Sequence, residues 1–150
     1  MNTKQDIEGF LKEKTLAVAG ISRDPKSFSA AVNRELKAKG YRTIPVNPNA
    51  ETIDGGKCFP NLASLPEKAG GVIVLTQPGV TESVVREAAA AGIRRIWIQQ
   101  GAQSEGAVRF CRDNGLEAVT GKCILMFAEP VASFHAFHRW FARLFGQVPR

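Results

Sequence analysis

Residues 15–29 read TLAVAGISRDPKSFS, and this stretch decides the fold. Leu16, Ala17, Val18 and Ala19 form a short apolar run that meets Gly20 and breaks into a polar loop, Ile21 to Phe28. The loop carries Ser22, Arg23, Pro25, Lys26 and Ser27. Behind it, Ser29–Lys39 places Ala31, Val32, Leu36 and Lys39 on a helical repeat that stops at Gly40, where a left-handed residue closes a helix. A buried strand, a tight turn on glycine and a helix whose first N–H groups face that turn make a phosphate site. Gly20 is expected to let a ligand approach the backbone, and Arg23 and Lys26 to add charge to the loop's donors.

The rest of the chain extends this frame. Thr3 to Lys12 puts Ile7, Phe10 and Leu11 on one helical face, with Thr3 as the cap and Asp6 three residues on. Tyr41 to Val46 reads as a second strand ending at Asn47-Pro48-Asn49, which cannot continue a central strand. Residues 50–66 are a long connection with one helical turn near Asn61–Leu65. Gly71 to Thr76, GVIVLT, is the continuous apolar run of a parallel strand covered on both faces. After Gln77-Pro78-Gly79, a helix is expected over Thr81–Ala91, capped by Thr81 and closed by Gly92. Ile93 to Ile98 is a fourth strand, followed by Gln99-Gln100-Gly101. A helix over Ser104–Asn114 and a short strand over Leu116–Thr120 complete the pattern.

Strands alternating with helices at this spacing predict a parallel sheet with right-handed crossovers. The fold class expected is therefore α/β, a Rossmann-like doubly wound five-stranded parallel sheet with an added C-terminal helix. Strands fall near 15–21, 41–46, 71–76, 93–98 and 116–120, with strand one central. The 150 residues form a single domain with its core over 15–123. In the tail, Val131, Phe134, Phe137, His138, Phe141, Leu144 and Phe145 make an apolar stripe over 128–145. Such a stripe suits the core, a homodimer or a protein partner.

The net charge of +6 comes from basic residues that are scattered along the chain. A polyanionic small ligand suits this better than nucleic acid. Three cysteines without C-x-x-C spacing suggest reduced thiols and neither disulfides nor zinc. The N-terminus has no apolar signal region and no run approaches the roughly 20 residues that cross a bilayer, so a cytoplasmic protein without membrane contact is expected.

In a doubly wound sheet the ligand lies outside the carboxyl ends of the strands, where the strand order reverses. A dinucleotide fingerprint aligned on Gly20 would want glycines where Ser22 and Pro25 stand. An NAD site would also want an acid at the end of the second strand, where this chain has Asn47 and Pro48. Both features argue against NAD and leave room for a ligand with separate phosphates.

The segments AVAGISRDPKSFS, YRTIPVNPNA, GGKCFPNLASLP and IRRIWIQQGAQSEGA, with a strand ending before Pro78, resemble the small bacterial and archaeal CoA-binding proteins. Their domain is similar to the N-terminal domain of the succinyl-CoA synthetase alpha subunit. The resemblance runs from about Thr15 to Cys123. It implies a Rossmann-like domain that binds coenzyme A across the strand ends, with Gly20, Ser22, Arg23, Pro25, Lys26 and Ser27 meeting phosphate. Asn47 and Pro48 would lie beside the adenosine. Thr76, Gln77 and Pro78 would line the other wall, with the Gln100-Gly101 pair after strand four. Many members of the family carry a lysine directly after V-N-P; this chain has Asn49, so Lys57 or a loop residue would take over that contact. The tail segment Phe134–Trp140 also resembles a subset of the family, and implies no role.

No catalytic constellation is legible. There is no Ser-His-Asp order, paired carboxylate or H-E-x-x-H, and the second domain that carries the phosphorylated histidine of succinyl-CoA synthetase is not part of this pattern. His135 and His138 stand one helical turn apart, but without further ligands they make no metal site. Cys123 follows the last strand with no activating base nearby in sequence. The expected function is binding of coenzyme A or an acyl-CoA, without catalysis and without metal. The alternatives are an NAD(P)-linked or thiol-based redox enzyme, and an interaction module with a vestigial nucleotide pocket.

Overall fold

The computed structural model describes residues 1–128. The expected C-terminal helix, its apolar stripe and the two histidines lie outside the described residues. The elements run α1 (Lys4–Leu11), β1 (Thr15–Ala19), α2 (Phe28–Ala38), β2 (Arg42–Val46), β3 (Thr52–Ile53), β4 (Gly56–Lys57), β5 (Gly71–Val74), α3 (Pro78–Ala90), β6 (Arg95–Gln99), α4 (Glu105–Asp113) and β7 (Glu117–Lys122). Short 3-10 turns stand at Leu62–Ser64 and Ile124–Met126.

Five strands form one parallel sheet in the order β2-β1-β5-β6-β7. This is the expected Rossmann-like architecture, with one correction: β5 occupies the middle and β1 lies beside it. The reason is the near-total burial of Gly71–Val74, which carries no polar side chain and can be covered on every side. The chain leaves β1 toward β2 on one side and leaves β5 toward β6 on the other, so the strand order reverses between β1 and β5.

Alternation along the strands divides the core in two. Leu16, Val18, Ile73, Trp97 and Val119 face the side of α1 and α2, where they pack with Ile7, Phe10, Val32 and Leu36. Ala17, Val72, Val74, Ile96, Ile98 and Ala118 face the side of α3 and α4, against Val85, Ala88, Ala107 and Cys111. Trp97 is fully buried between Phe10 and Phe127, with ring centroids 5.4 and 5.7 Å away. Its indole N–H donates to the carbonyl of Lys122 at 3.0 Å. The close approach of α1 explains Gly71, where a Cβ would stand 2.7 Å from the Phe10 ring.

Both sheet edges are covered. On the outer edge of β2, Pro45 has no N–H to expose, and its carbonyl accepts from Phe59 N–H at 3.0 Å. On the outer edge of β7, Asn2 closes a pair of bonds with Thr120: its amide donates to the Thr120 carbonyl at 2.9 Å and its side-chain oxygen accepts from Thr120 N–H at 2.7 Å.

Local signals behave as expected at α1, where Thr3 and Asp6 form a reciprocal capping box, and at Asn61, which caps the short turn. Two helices begin earlier than the sequence pattern predicts. Ser27 caps α2, accepting from Ala30 N–H at 3.1 Å, so that helix starts at Phe28. Pro78 opens α3 in the position proline favours, and Thr81 is not its cap but a fully buried residue inside the first turn. The connection after β2 holds an unexpected hairpin, β3–β4, turning on Asp54 (φ 51°) and Gly55 (φ 75°). Two consecutive left-handed residues are what a two-residue hairpin turn requires.

Candidate functional site

At the carboxyl edge, between the start of α2 and the ends of β5 and β6, lies a cleft of about 340 Å³. Its walls come from three places in the chain. Ser27, Phe28 and Ser29 arrive at the start of α2, Leu75 to Pro78 follow β5, and Gln99 to Ala102 follow β6. A larger and more open groove of about 700 Å³ lies at the opposite, amino edge of the sheet. There Arg95 pairs with Glu13 and Glu117 across strand beginnings, where no loop from the reversal point reaches. The smaller cleft stands at the reversal point, where open α/β sheets bind ligands.

The loop from Ile21 to Ser27 is held by its own side chains. Ser22 N–H donates to Ser29 Oγ at 2.8 Å, Asp24 N–H to Ser22 Oγ at 3.0 Å, and Lys26 N–H to an Asp24 carboxylate oxygen at 2.9 Å. Ser27 N–H donates to the Asp24 carbonyl at 3.0 Å. Most of the loop's backbone donors are therefore already used, which corrects the expectation that they face a ligand. Phe28 and Ser29, in the first turn of α2, line the cleft at the end of the helix where N–H groups lack intrahelical partners. Arg23, Pro25 and Lys26 are exposed on the outer side of the loop.

Gly20 has a different role from the one its sequence context suggests. Its φ is +90°, and a Cβ there would stand 2.8 Å from both Thr76 Cγ2 and Thr76 N. The close approach of the chain after β5 is enough by itself to require the glycine. Asn47 is likewise committed within the protein. Its amide donates to the Ile21 carbonyl at 2.8 Å, and its side-chain oxygen accepts from Asn49 N–H at 2.7 Å. It ties the end of β2 to the start of the loop, while Pro48 stands exposed beyond it.

Of the residues singled out by sequence, Ser27, Thr76, Gln77, Pro78, Gln100 and Gly101 share the cleft. Gly20 lies beneath it. Ser22, Arg23, Pro25, Lys26, Asn47 and Pro48 do not line it. Lys57 sits on β4 with its ammonium 5.3 Å from the Phe59 ring centroid, and borders a separate cavity of about 250 Å³ outside β2. The structure does not bring it to the cleft.

Sequence reasoning missed Phe28 and Ser29, and it placed Gln99 at the ligand edge without assigning it a contact. Phe28 is 56% exposed at the cleft mouth. Gln99 is 3% exposed, and its side-chain oxygen accepts from Ile124 N–H at 2.9 Å. A bulge makes this contact possible: Ile98 pairs with Thr120 but Gln99 with Lys122, and the skipped Gly121 adopts φ 75°. The extra residue re-aims the chain after β7 across the end of β6. Cys123 is half-buried there but does not line the cleft, and burial pushes the Cys111 thiol up to about 11. Burial also raises the Cys58 thiol, despite its contacts with the carbonyls of Asn47 and Phe59.

The family model described as "CoA binding domain" matches residues 14–129, spanning all five strands of the sheet. The chain belongs to this CoA-binding domain family. A conserved hypothetical protein of Pyrococcus furiosus has a solved structure that matches with a TM-score of 0.72 and 34% identity, over 75% of this chain and 97% of that one. The uncharacterized protein YneT of Bacillus subtilis is 29% identical over 127 residues, which is 81% of this chain and 91% of YneT. Acetate–CoA ligase [ADP-forming] II of Archaeoglobus fulgidus is 29% identical over 107 residues, but this chain matches only 16% of the ligase. Among the described residues, no helix is long and apolar enough to cross a membrane, and no group of three or more His, Cys, Asp and Glu side chains could hold a metal.

Proposed function

We propose that this CoA-binding domain binds coenzyme A or an acyl-CoA in the cleft between the start of α2 and the ends of β5 and β6, and that it catalyses no reaction of its own. The observation that carries the reading is the position of the cleft: it joins the first turn of α2 to the ends of β5 and β6 at the point where strand order reverses. The first-turn N–H groups of α2 at Phe28 and Ser29 supply donors for phosphate, and Arg23 and Lys26 add a positive field at the outer side. The family match supports the choice of ligand. Among the described residues, those lining the cleft offer hydroxyls, amides and apolar surface, with no carboxylate, histidine or thiol to move a proton. That favours binding over acid–base catalysis.

Calorimetric titration of the full chain with CoA, acetyl-CoA and NAD tests the proposal. The expected result is saturable binding of CoA or acetyl-CoA at least tenfold tighter than NAD. NAD binding as tight as CoA would favour the oxidoreductase reading instead. Turnover of acetyl-CoA on incubation with the protein would overturn the non-catalytic half of the proposal while leaving the binding half intact.

A further inference from the structure

The polar groups on the floor of the cleft have their hydrogen-bonding directions fixed from behind. Thr81 is fully buried, and its Oγ1 lies 2.7 Å from the Ala102 carbonyl, 2.7 Å from Thr76 Oγ1 and 3.2 Å from the Gln77 carbonyl. A threonine hydroxyl has one proton. A carbonyl oxygen cannot donate, so the short contact with Ala102 claims the Thr81 proton. The equally short contact with Thr76 is then bonding only if Thr76 is the donor. Thr76 therefore spends its proton on Thr81 and presents lone pairs alone to the cleft.

Gln99 is fixed in the opposite sense. Its side-chain oxygen accepts from Ile124 N–H at 2.9 Å, and turning the amide over would set two donors against each other. The NH₂ group is left as the end that can meet a ligand in the cleft that Gln99 lines. Strand alternation puts Gln99 on the α1–α2 side of the sheet with Trp97, and Thr76 toward α3 with Val74. The cleft thus has a committed donor on one side and a committed acceptor on the other.

We infer that Thr76 and Gln99 read a secondary amide of the ligand, and that this pair selects pantetheine-bearing ligands over bare nucleotides. The inference rests on the proposed CoA site and deepens it. A trans amide presents its C=O and N–H in opposite directions, which matches a donor and an acceptor on opposite sides of the strand ends. Phosphate, by contrast, only accepts at its ionised oxygens and finds no partner in Thr76. The pantetheine arm of CoA carries two secondary amides, whereas adenosine 3′,5′-bisphosphate carries none. The phosphates fall to the start of α2, and the arm crosses the ends of β5 and β6.

Calorimetry with CoA and adenosine 3′,5′-bisphosphate on the wild type, Thr76→Val and Thr76→Ser tests this. Valine keeps the shape and removes the acceptor; Thr81 keeps its bond to Ala102. Thr76→Val is expected to weaken CoA about tenfold and to leave the bisphosphate within twofold of wild type. Thr76→Ser, which retains the hydroxyl, should hold CoA within about threefold of wild type. Equal weakening of both ligands by Thr76→Val, or no weakening of CoA, overturns the amide reading. A wild type that binds neither ligand overturns the CoA site itself. Circular dichroism and thermal melting of Thr76→Val confirm that it folds; if it does not, Thr76→Ala takes its place with the same expected outcome.

Discussion

Ser29, in the first turn of α2, accepts the backbone N–H of Ser22 at 2.8 Å and so fastens the loop after β1 to the helix that follows it. Ser29 is 9% exposed, and its bond to the Ser22 N–H is partly buried. Ser29→Ala removes the acceptor and leaves a shielded donor unpaired. A loss of about 1–2 kcal/mol of stability is expected, read from urea denaturation at unchanged m-value. CoA affinity should fall as well, because the loop that carries Arg23 and Lys26 loses its anchor.

Gly20 and Gly101 both adopt positive φ, at +90° and +93°, but only Gly20 has a neighbour in the way. A Cβ at Gly101 would meet nothing within 4 Å. Gly101→Ala should cost about 1–2 kcal/mol for the backbone conformation alone. Gly20→Ala adds a clash with the Leu75–Thr76 backbone and should cost about 3 kcal/mol or more. Thermal melting of the two variants checks the order; equal costs would mean that the chain after β5 gives way at no cost.

The alternation of strands and helices was legible because each signal is local: GVIVLT in β5, the capping box at Thr3, the glycines closing helices. The hairpin β3–β4 was not, since two-residue strands are too short to show a period, although Asp54-Gly55 is a hairpin dipeptide. In the site, the residues that follow strands were legible as a set. What each one does was not. Asn47, Gly20 and Ser29 serve other parts of the chain, and only the folded structure shows which carbonyl, strand or loop each one meets. Gln99 reads as the first residue after the fourth strand, and its role depends on a bulge at Gly121 in a different strand.

Arg23 and Lys26 are exposed, so their charge acts through screened water. Arg23→Ala is expected to weaken CoA by about threefold to fivefold at low salt, with the difference shrinking toward none at 0.5 M salt. Lys37→Ala, in the last turn of α2, should leave the affinity unchanged. Equal effects of the two substitutions would reduce the contribution of the loop to net charge.

The three thiols should differ in reactivity. Cys111 is fully buried, and burial pushes its thiol up to about 11, which leaves it almost entirely protonated near neutral pH. Cys58 is buried and also raised. Cys123, half-buried at the carboxyl edge, is expected to be the first labelled by maleimide under native conditions, with the other two labelled only after unfolding. Mass spectrometry of the labelled peptides reads this directly, and native labelling of Cys111 would show that α4 opens far more readily than its packing indicates.

Titration of isotope-labelled full chain with CoA, followed by amide NMR, tests the central claim most directly, because the cleft and the larger groove lie at opposite ends of one sheet. Binding at the carboxyl edge should shift the amides of Ser27, Phe28, Ser29, Thr76, Gln77 and Gly101, together with the side-chain NH₂ of Gln99, while Lys14, Gly70 and Arg94 stay in place. Shifts concentrated at Lys14, Gly70 and Arg94 would put the ligand in the groove at the amino edge and contradict the account.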